Sequence, residues 1–234
     1  MIAIFKREFK NYFYSPLGYV FIGVFMALAA AFFVAGPMMN GSADIRGVLS
    51  SVDMVCMILI PLLTMGLLSE ERNKKTDQLL LSSPVKVSHI VLGKYLAACA
   101  VLGVTILLSF LFAVIMSIFG TPIMTEMIGS YIGFALMWMT FIAIGVFVSS
   151  LTESQIIAAV ISFGVMLAVY ILDWFSSAVS NDFIKNILSW ISLTKRYNSF
   201  QMGVFDITNI IYFASVIFLF LYLCTRSIDK RRYS

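Results

Sequence analysis

The chain has 234 residues, 61% of them hydrophobic and 12% charged, and its mean hydropathy is +0.97; a soluble domain averages about 45–50% apolar and about 25% charged. A soluble fold of this length would leave much of that apolar surface in water, because a large share of any folded surface stays exposed. Composition therefore excludes a soluble enzyme or a free nucleic-acid binder, despite a formal net charge of +4, and points to an all-α integral membrane protein.

Residues 3–14 mix basic and aromatic side chains at helical spacing, with Ile4/Phe5, Phe9 and Tyr12/Phe13 on one face. This predicts an amphipathic helix lying in the membrane interface, before Ser15-Pro16 turns the chain inward. Lys6 to Lys10 ahead of an apolar run resembles a signal peptide, but the run continues past Ala27-Leu28-Ala29 to Val34, so cleavage is not expected.

A helix needs about 20 mostly apolar residues to cross the hydrocarbon core. Six stretches qualify, at about 17–39, 52–69, 95–119, 128–150, 155–174 and 208–226. Pro37 and Pro61 fall within the first two and are tolerated where neighbouring helices satisfy the freed backbone groups. Six spans put both termini on one side with the 70–94 and 151–154 loops. That side collects Lys6, Arg7, Lys10, Arg72, Lys74, Lys75, Lys86, Lys94, Arg226, Lys230, Arg231 and Arg232, twelve of the sixteen basic residues. The positive-inside rule assigns it to the cytoplasm, where the basic residues also attract anionic lipid.

Small residues form ridges that let helices approach closely. Gly23, Ala27, Ala31 and Ala35 recur every four residues down the first span and are candidates for helix packing or dimerisation. Gly129/Gly133, Gly145/Ser149 and Ser154/Ala158/Ser162 repeat the spacing. Cys56, Cys99 and Cys224 share no metal or disulfide spacing and read as small buried hydrophobes.

Intramembrane ionisable groups mark ion and proton pathways. Asp53 and Asp173 fall at predicted span ends, where interface hydration accounts for them, and neither is expected to be an essential proton relay. The single histidine, His89, lies in a loop, so there is no HExxH zinc helix. No nucleophile–base pairing is evident. No catalytic residue, metal site or resident cofactor is expected.

The 70–94 loop runs from Glu70-Glu71-Arg72 through Lys74-Lys75-Thr76-Asp77-Gln78 to Leu79-Leu80-Leu81, and Pro84 then stops the helix. A short helix with an apolar patch on a polar element reads as a docking surface. Glu70, Glu71, Arg72, Thr76, Leu79, Leu80, Pro84, Val85, Gly93 and Lys94 resemble the pattern Glu-Glu-(basic)-x-x-Gly-Thr-x-Glu-x-Leu-Leu-x-x-Pro-(Val/Ile)…Gly-Lys of ABC-2 family permeases. Lys75 and Gln78 depart from it, and Lys75 counts against a tight glycine turn. Ser15 to Val20, Ser149 to Gln155 and Phe200 to Asp206 with Tyr212-Phe213 resemble the gliding-motility-type branch.

The resemblance implies a coupling helix that docks a separate ATP-binding subunit, with Glu70, Glu71, Arg72, Thr76, Asp77, Gln78, Leu79, Leu80 and Pro84 at the contact. ATP and Mg would sit on that subunit, since Gly93-Lys94 is followed by Tyr95 and lacks the earlier glycine of a phosphate loop. It further implies a second permease subunit, identical or related, an export role in a bacterial cytoplasmic membrane, and room for an outer-face accessory protein. No nucleic-acid partner is expected. Residues 175–207 are too long for a simple turn; they read either as an amphipathic surface helix or, as the resemblance implies, as short helices dipping into the outer leaflet. The many aromatics suit an amphipathic cargo and equally suit lipid contact. The other reading left by the sequence is a non-transporting scaffold that transmits ATPase strokes to an outer-face machine.

Overall fold

The computed structural model describes residues 1–39, 41, 45–75, 86–119, 123–178 and 192–232, and among these every regular element is helical. The helices are α1 (Ile2–Tyr14), α2 (Leu17–Phe33) ending in a π turn (Val34–Met38), α3 (Ile45–Thr64), α4 (Gly66–Asn73), α5 (Val87–Phe119), α6 (Met124–Leu151), α7 (Gln155–Ala178), α8 (Leu193–Gln201) and α9 (Ile207–Arg232). Six stretches are long and apolar enough to cross a membrane: Leu17–Met38, Ile45–Asn73, Val87–Ile118, Met124–Leu151, Gln155–Leu172 and Ile207–Lys230.

The breaks follow local chemistry. Pro16 forces Ser15 into an extended conformation (ψ 154°), which ends α1, and α2 begins one residue after the proline. Pro37 lies inside the wide turn that closes the first span, where its missing N–H leaves no regular α-helical bond to break.

Two spans begin earlier than hydropathy predicts, at Ile45 rather than 52 and at Val87 rather than 95. In both extensions the polar residues share the helix with a buried apolar stripe, Val48, Leu49 and Val52 in one and Val87, Ile90 and Val91 in the other. Packing of that stripe, rather than mean apolarity, holds these turns in the bundle.

At the centre stands α6: 72% of its most apolar stretch is buried, against 28%, 17% and 22% for the first, fifth and sixth spans. Phe134, Trp138 and Phe141 fill its inner face. The outer helices turn side chains such as Val160, Leu219 and Phe218 outward, as helices bathed in lipid do. At the end of the bundle away from the chain termini, an Arg46–Glu126 ion pair of 3.2 Å joins α3 to α6.

Small residues are used where α6 meets its neighbours. A β-carbon on Gly133 would lie 2.7 Å from Phe200 Cβ, and one on Gly129 would collide with the Phe200 carbonyl, so α8 seats against α6 only because both are glycine. The contact lays α8 against α6 at the end of the bundle away from the chain termini. Gly23, Ala27, Ala31 and Ala35 are instead exposed. It is Phe21, Phe25, Ala29 and Phe33 that pack α2 into the bundle.

Candidate functional site

The second span is broken near its basic end. Pro61 offers no N–H to the preceding turn, α3 ends at Thr64 and α4 resumes at Gly66. Around this break, backbone groups bond to side chains from two other helices. Ser149 Oγ of α6 donates to Met65 O at 2.9 Å and accepts from the Leu68 and Ser69 amides at 3.2 Å each. Tyr12 Oη of α1 donates to Leu63 O at 2.9 Å. Burial first, then the charges of Glu8 and Cys99, hold the Tyr12 phenol well above its ordinary pKa, so it remains a neutral donor. Thr64 Oγ1 turns back to Ile60 O at 3.0 Å, and Gly145 supplies the space for its side chain, since a β-carbon there would collide with it. The junction at Met65, called the hinge below, keeps its own helical bond to Pro61 O at 2.9 Å and is braced in addition by side chains of α6 and α1.

Beyond the hinge, α4 is tied to α1 and α5 by four alternating charges. Lys94 Nζ lies 2.9 Å from Glu71 Oε1 and 3.3 Å from Glu8 Oε1, and Arg7 Nη2 lies 3.1 Å and 2.6 Å from the same two oxygens. The side chains of Lys94 and Glu8 are 2% and 9% exposed, so this is a buried network in which each charge depends on the others. The hydrogen bonds that Arg7 donates to Glu8, against the effect of burial, raise its guanidinium above the ordinary value.

The end of α4 is anchored to the turn between α6 and α7. Arg72 bonds Glu153 Oε1 at 2.8 Å and the Leu151 carbonyl at 3.1 Å, and Asn73 Nδ2 reaches the Glu153 carbonyl at 3.4 Å. Glu70 pairs with Lys74 at 2.6 Å. A cavity of about 390 Å³ opens beside the hinge between α1 and α4, with Glu8, Asn11, Tyr12, Leu63, Gly66 and Glu70 in its wall. Lys75 closes the helix at φ +54°, its amide on Arg72 O at 3.1 Å. The tight turn that Lys75 was expected to disfavour is therefore formed, with lysine in the left-handed region where glycine is usual.

Of the expected contact residues, Glu70, Glu71 and Arg72 are brought together on α4 and its neighbours. Thr76, Asp77, Gln78, Leu79, Leu80 and Pro84 lie outside the described residues. The sequence reading overlooked Arg7, Glu8, Tyr12 and Ser149. Glu8 carried a signal, because Ile4, Glu8 and Tyr12 are spaced by four and put an acid on the inward face of α1.

Asp53 also departs from expectation. It lies eight residues inside α3, about 12 Å from its start at 1.5 Å per residue. It is 8% exposed and accepts a 3.0 Å hydrogen bond from Trp138 Nε1. Interface hydration does not account for it: the helix begins earlier than its hydropathy suggested, so the residue stands inside the span. Asp173 directly follows the fifth apolar stretch, Gln155–Leu172, as expected. Near Asp53, Tyr197 of α8 is buried, with Gln201 beside its hydroxyl. Burial first, then the Asp53 carboxylate, raises its pKa well above the ordinary phenol value.

Among curated proteins, none matches the chain. A family model described as ABC-2 family transporter protein matches residues 2–227, a range that takes in the first five apolar spans, most of the sixth, the hinge and the charge network. Members of that family are membrane components of transporters that generally work with an ATP-binding subunit. A multi-pass helical bundle with a side-chain-braced hinge at the end of its second span fits that membership, and the chain belongs to the ABC-2 family of transporter proteins.

Proposed function

We propose that the chain is the permease subunit of an ATP-driven exporter of the gliding-motility-type branch, and that a separate ATP-binding subunit docks on the segment between α4 and α5. That subunit carries the ATP and Mg; this chain converts its closure into movement of spans. The observation that supports the reading is the hinge: α4 continues the second span beyond a break held by Ser149 and Tyr12, and runs directly into the segment bearing Leu79 and Leu80. A push on that segment swings α4 about Met65. The Glu71–Lys94–Glu8 contacts carry the movement to α1 and α5, and the Arg72–Glu153 contact carries it to the α6–α7 turn. The basic face then lies in the cytoplasm of a bacterial cell, in accord with the positive-inside rule. The exposed ridge Gly23, Ala27, Ala31 and Ala35 is the surface we assign to a second permease subunit.

The test is extraction of the chain from its native membrane in mild detergent, with co-purifying proteins identified by mass spectrometry. An ABC ATP-binding subunit is expected with the wild type and is expected to be lost from the Leu79→Ser/Leu80→Ser variant. Recovery of no ATPase under gentle extraction, or equal recovery with the variant, would refute the reading.

A further inference from the structure

Asp53 is a carboxylate inside a membrane-spanning helix, and it forms no ion pair among the described residues. Such groups are costly in this setting and mark the path of an ion or a charged substrate. One neutral donor, Trp138, holds Asp53 Oδ1, which orients the carboxylate without neutralising it.

That donor belongs to an aromatic cluster. Trp138 stands 5.2 Å from Phe141, and Phe141 stacks on Tyr170 at 6.3 Å. From α8 comes Tyr197, 2% exposed, whose phenol lies within electrostatic reach of Asp53. A buried carboxylate held by a member of an aromatic cluster is the chemistry that selects an organic cation, since the ring quadrupole and the fixed charge attract the same ligand. The group is shared among the second, fourth and fifth spans and helix α8, which seats against α6 at Gly129 and Gly133. In this conformation the site is shut, with Trp138 fully buried.

We propose that Asp53 is the counter-ion for a positively charged group on the transported molecule, a cation on an apolar frame received by the rings of Trp138, Phe141, Tyr170 and Tyr197. The word transported rests on the permease reading above; binding of the cation does not.

The experiment uses the full chain in lipid nanodiscs with Trp174→Phe and Trp190→Phe, so that Trp138 is the only tryptophan. The probes are tetraphenylphosphonium and tetraphenylborate, matched in shape and opposite in charge. Tetraphenylphosphonium is expected to quench Trp138 saturably, with a Kd raised at least tenfold in Asp53→Asn and within threefold of the parent in Asp53→Glu. Tetraphenylborate is expected to give no saturable quenching. Asp53→Asn keeps an oxygen for the Trp138 hydrogen bond, and Asp53→Glu keeps the charge, so a packing defect separates from a charge effect. Equal affinity in Asp53→Asn, loss in Asp53→Glu as large as in Asp53→Asn, saturable borate binding, or no saturable phosphonium binding would each overturn the proposal. Failure to recover an ATPase from the native membrane would refute the permease reading and leave this binding result standing.

Discussion

Replacing Lys94 with methionine removes one corner of the buried charge network while keeping the length of the side chain. At an effective dielectric of about 20, a unit pair is worth about 6 kcal/mol at the 2.9 Å of Lys94–Glu71 and about 5 kcal/mol at the 3.3 Å of Lys94–Glu8. Desolvation of the ammonium, several kcal/mol, offsets much of this in the native protein. The variant avoids that cost, but it leaves Glu8 and Glu71 facing each other with Arg7 alone, and Arg7 is half exposed. Breaking a buried pair from one side costs about 3–5 kcal/mol, and that is the loss expected for Lys94→Met. The assay is equilibrium unfolding of the detergent-solubilised chain by denaturant, with unchanged slope as the check that compactness is preserved. Adding Glu8→Gln leaves Arg7 and Glu71 as a matched pair at 3.1 Å, so the double variant should be more stable than the sum of the singles by at least about 1 kcal/mol. A Lys94→Met protein within about 1 kcal/mol of wild type, or strictly additive variants, would show that the four charges do not act as one network.

The hinge and the turn after it give two further predictions. Ser149→Ala removes one of two side-chain donors to Met65 O, the other being Ser69 Oγ, and the acceptor for the Leu68 and Ser69 amides; buried groups that lose a partner cost about 1–3 kcal/mol, measurable in the same unfolding assay, and faster amide exchange at Leu68 and Ser69 should accompany the loss. No change in either would mean that water or the backbone replaces the serine. Lys75→Gly should stabilise the end of α4 by about 0.5–1 kcal/mol, because the native φ of +54° suits glycine and disfavours lysine; a destabilised variant would show that the lysine side chain contributes more than its backbone strain costs.

The number of spans and the grouping of basic residues on one face are consequences of composition and order along the chain. Backbone polar groups must be satisfied within each span, and so a run of apolar residues such as 97–116 can only be helix. Pro16 announced the break at Ser15 for a similarly local reason, the crowding of the residue before a proline. The ABC-2 resemblance, carried by Glu70-Glu71-Arg72 and Gly93-Lys94, was legible because these residues keep a fixed spacing.

Other features needed three dimensions. Arg7, Glu8, Glu71 and Lys94 are separated by up to 87 positions, and nothing in their spacing says that α1 folds back on the start of α5 and brings them within 3.3 Å. Ser149 reads as part of a small-residue ridge; only packing of α6 against the broken second span makes it the partner of Met65, Leu68 and Ser69. The two kinds of ridge, buried on α6 and exposed on α2, have the same sequence pattern, and their fates were set by which neighbour lay alongside. Asp53 shows the limit most clearly. Hydropathy averages over a window and placed it at the membrane edge. Its depth was decided by the apolar stripe of Val48, Leu49 and Val52, which extends the helix outward, and by Trp138, which meets its carboxylate from another span.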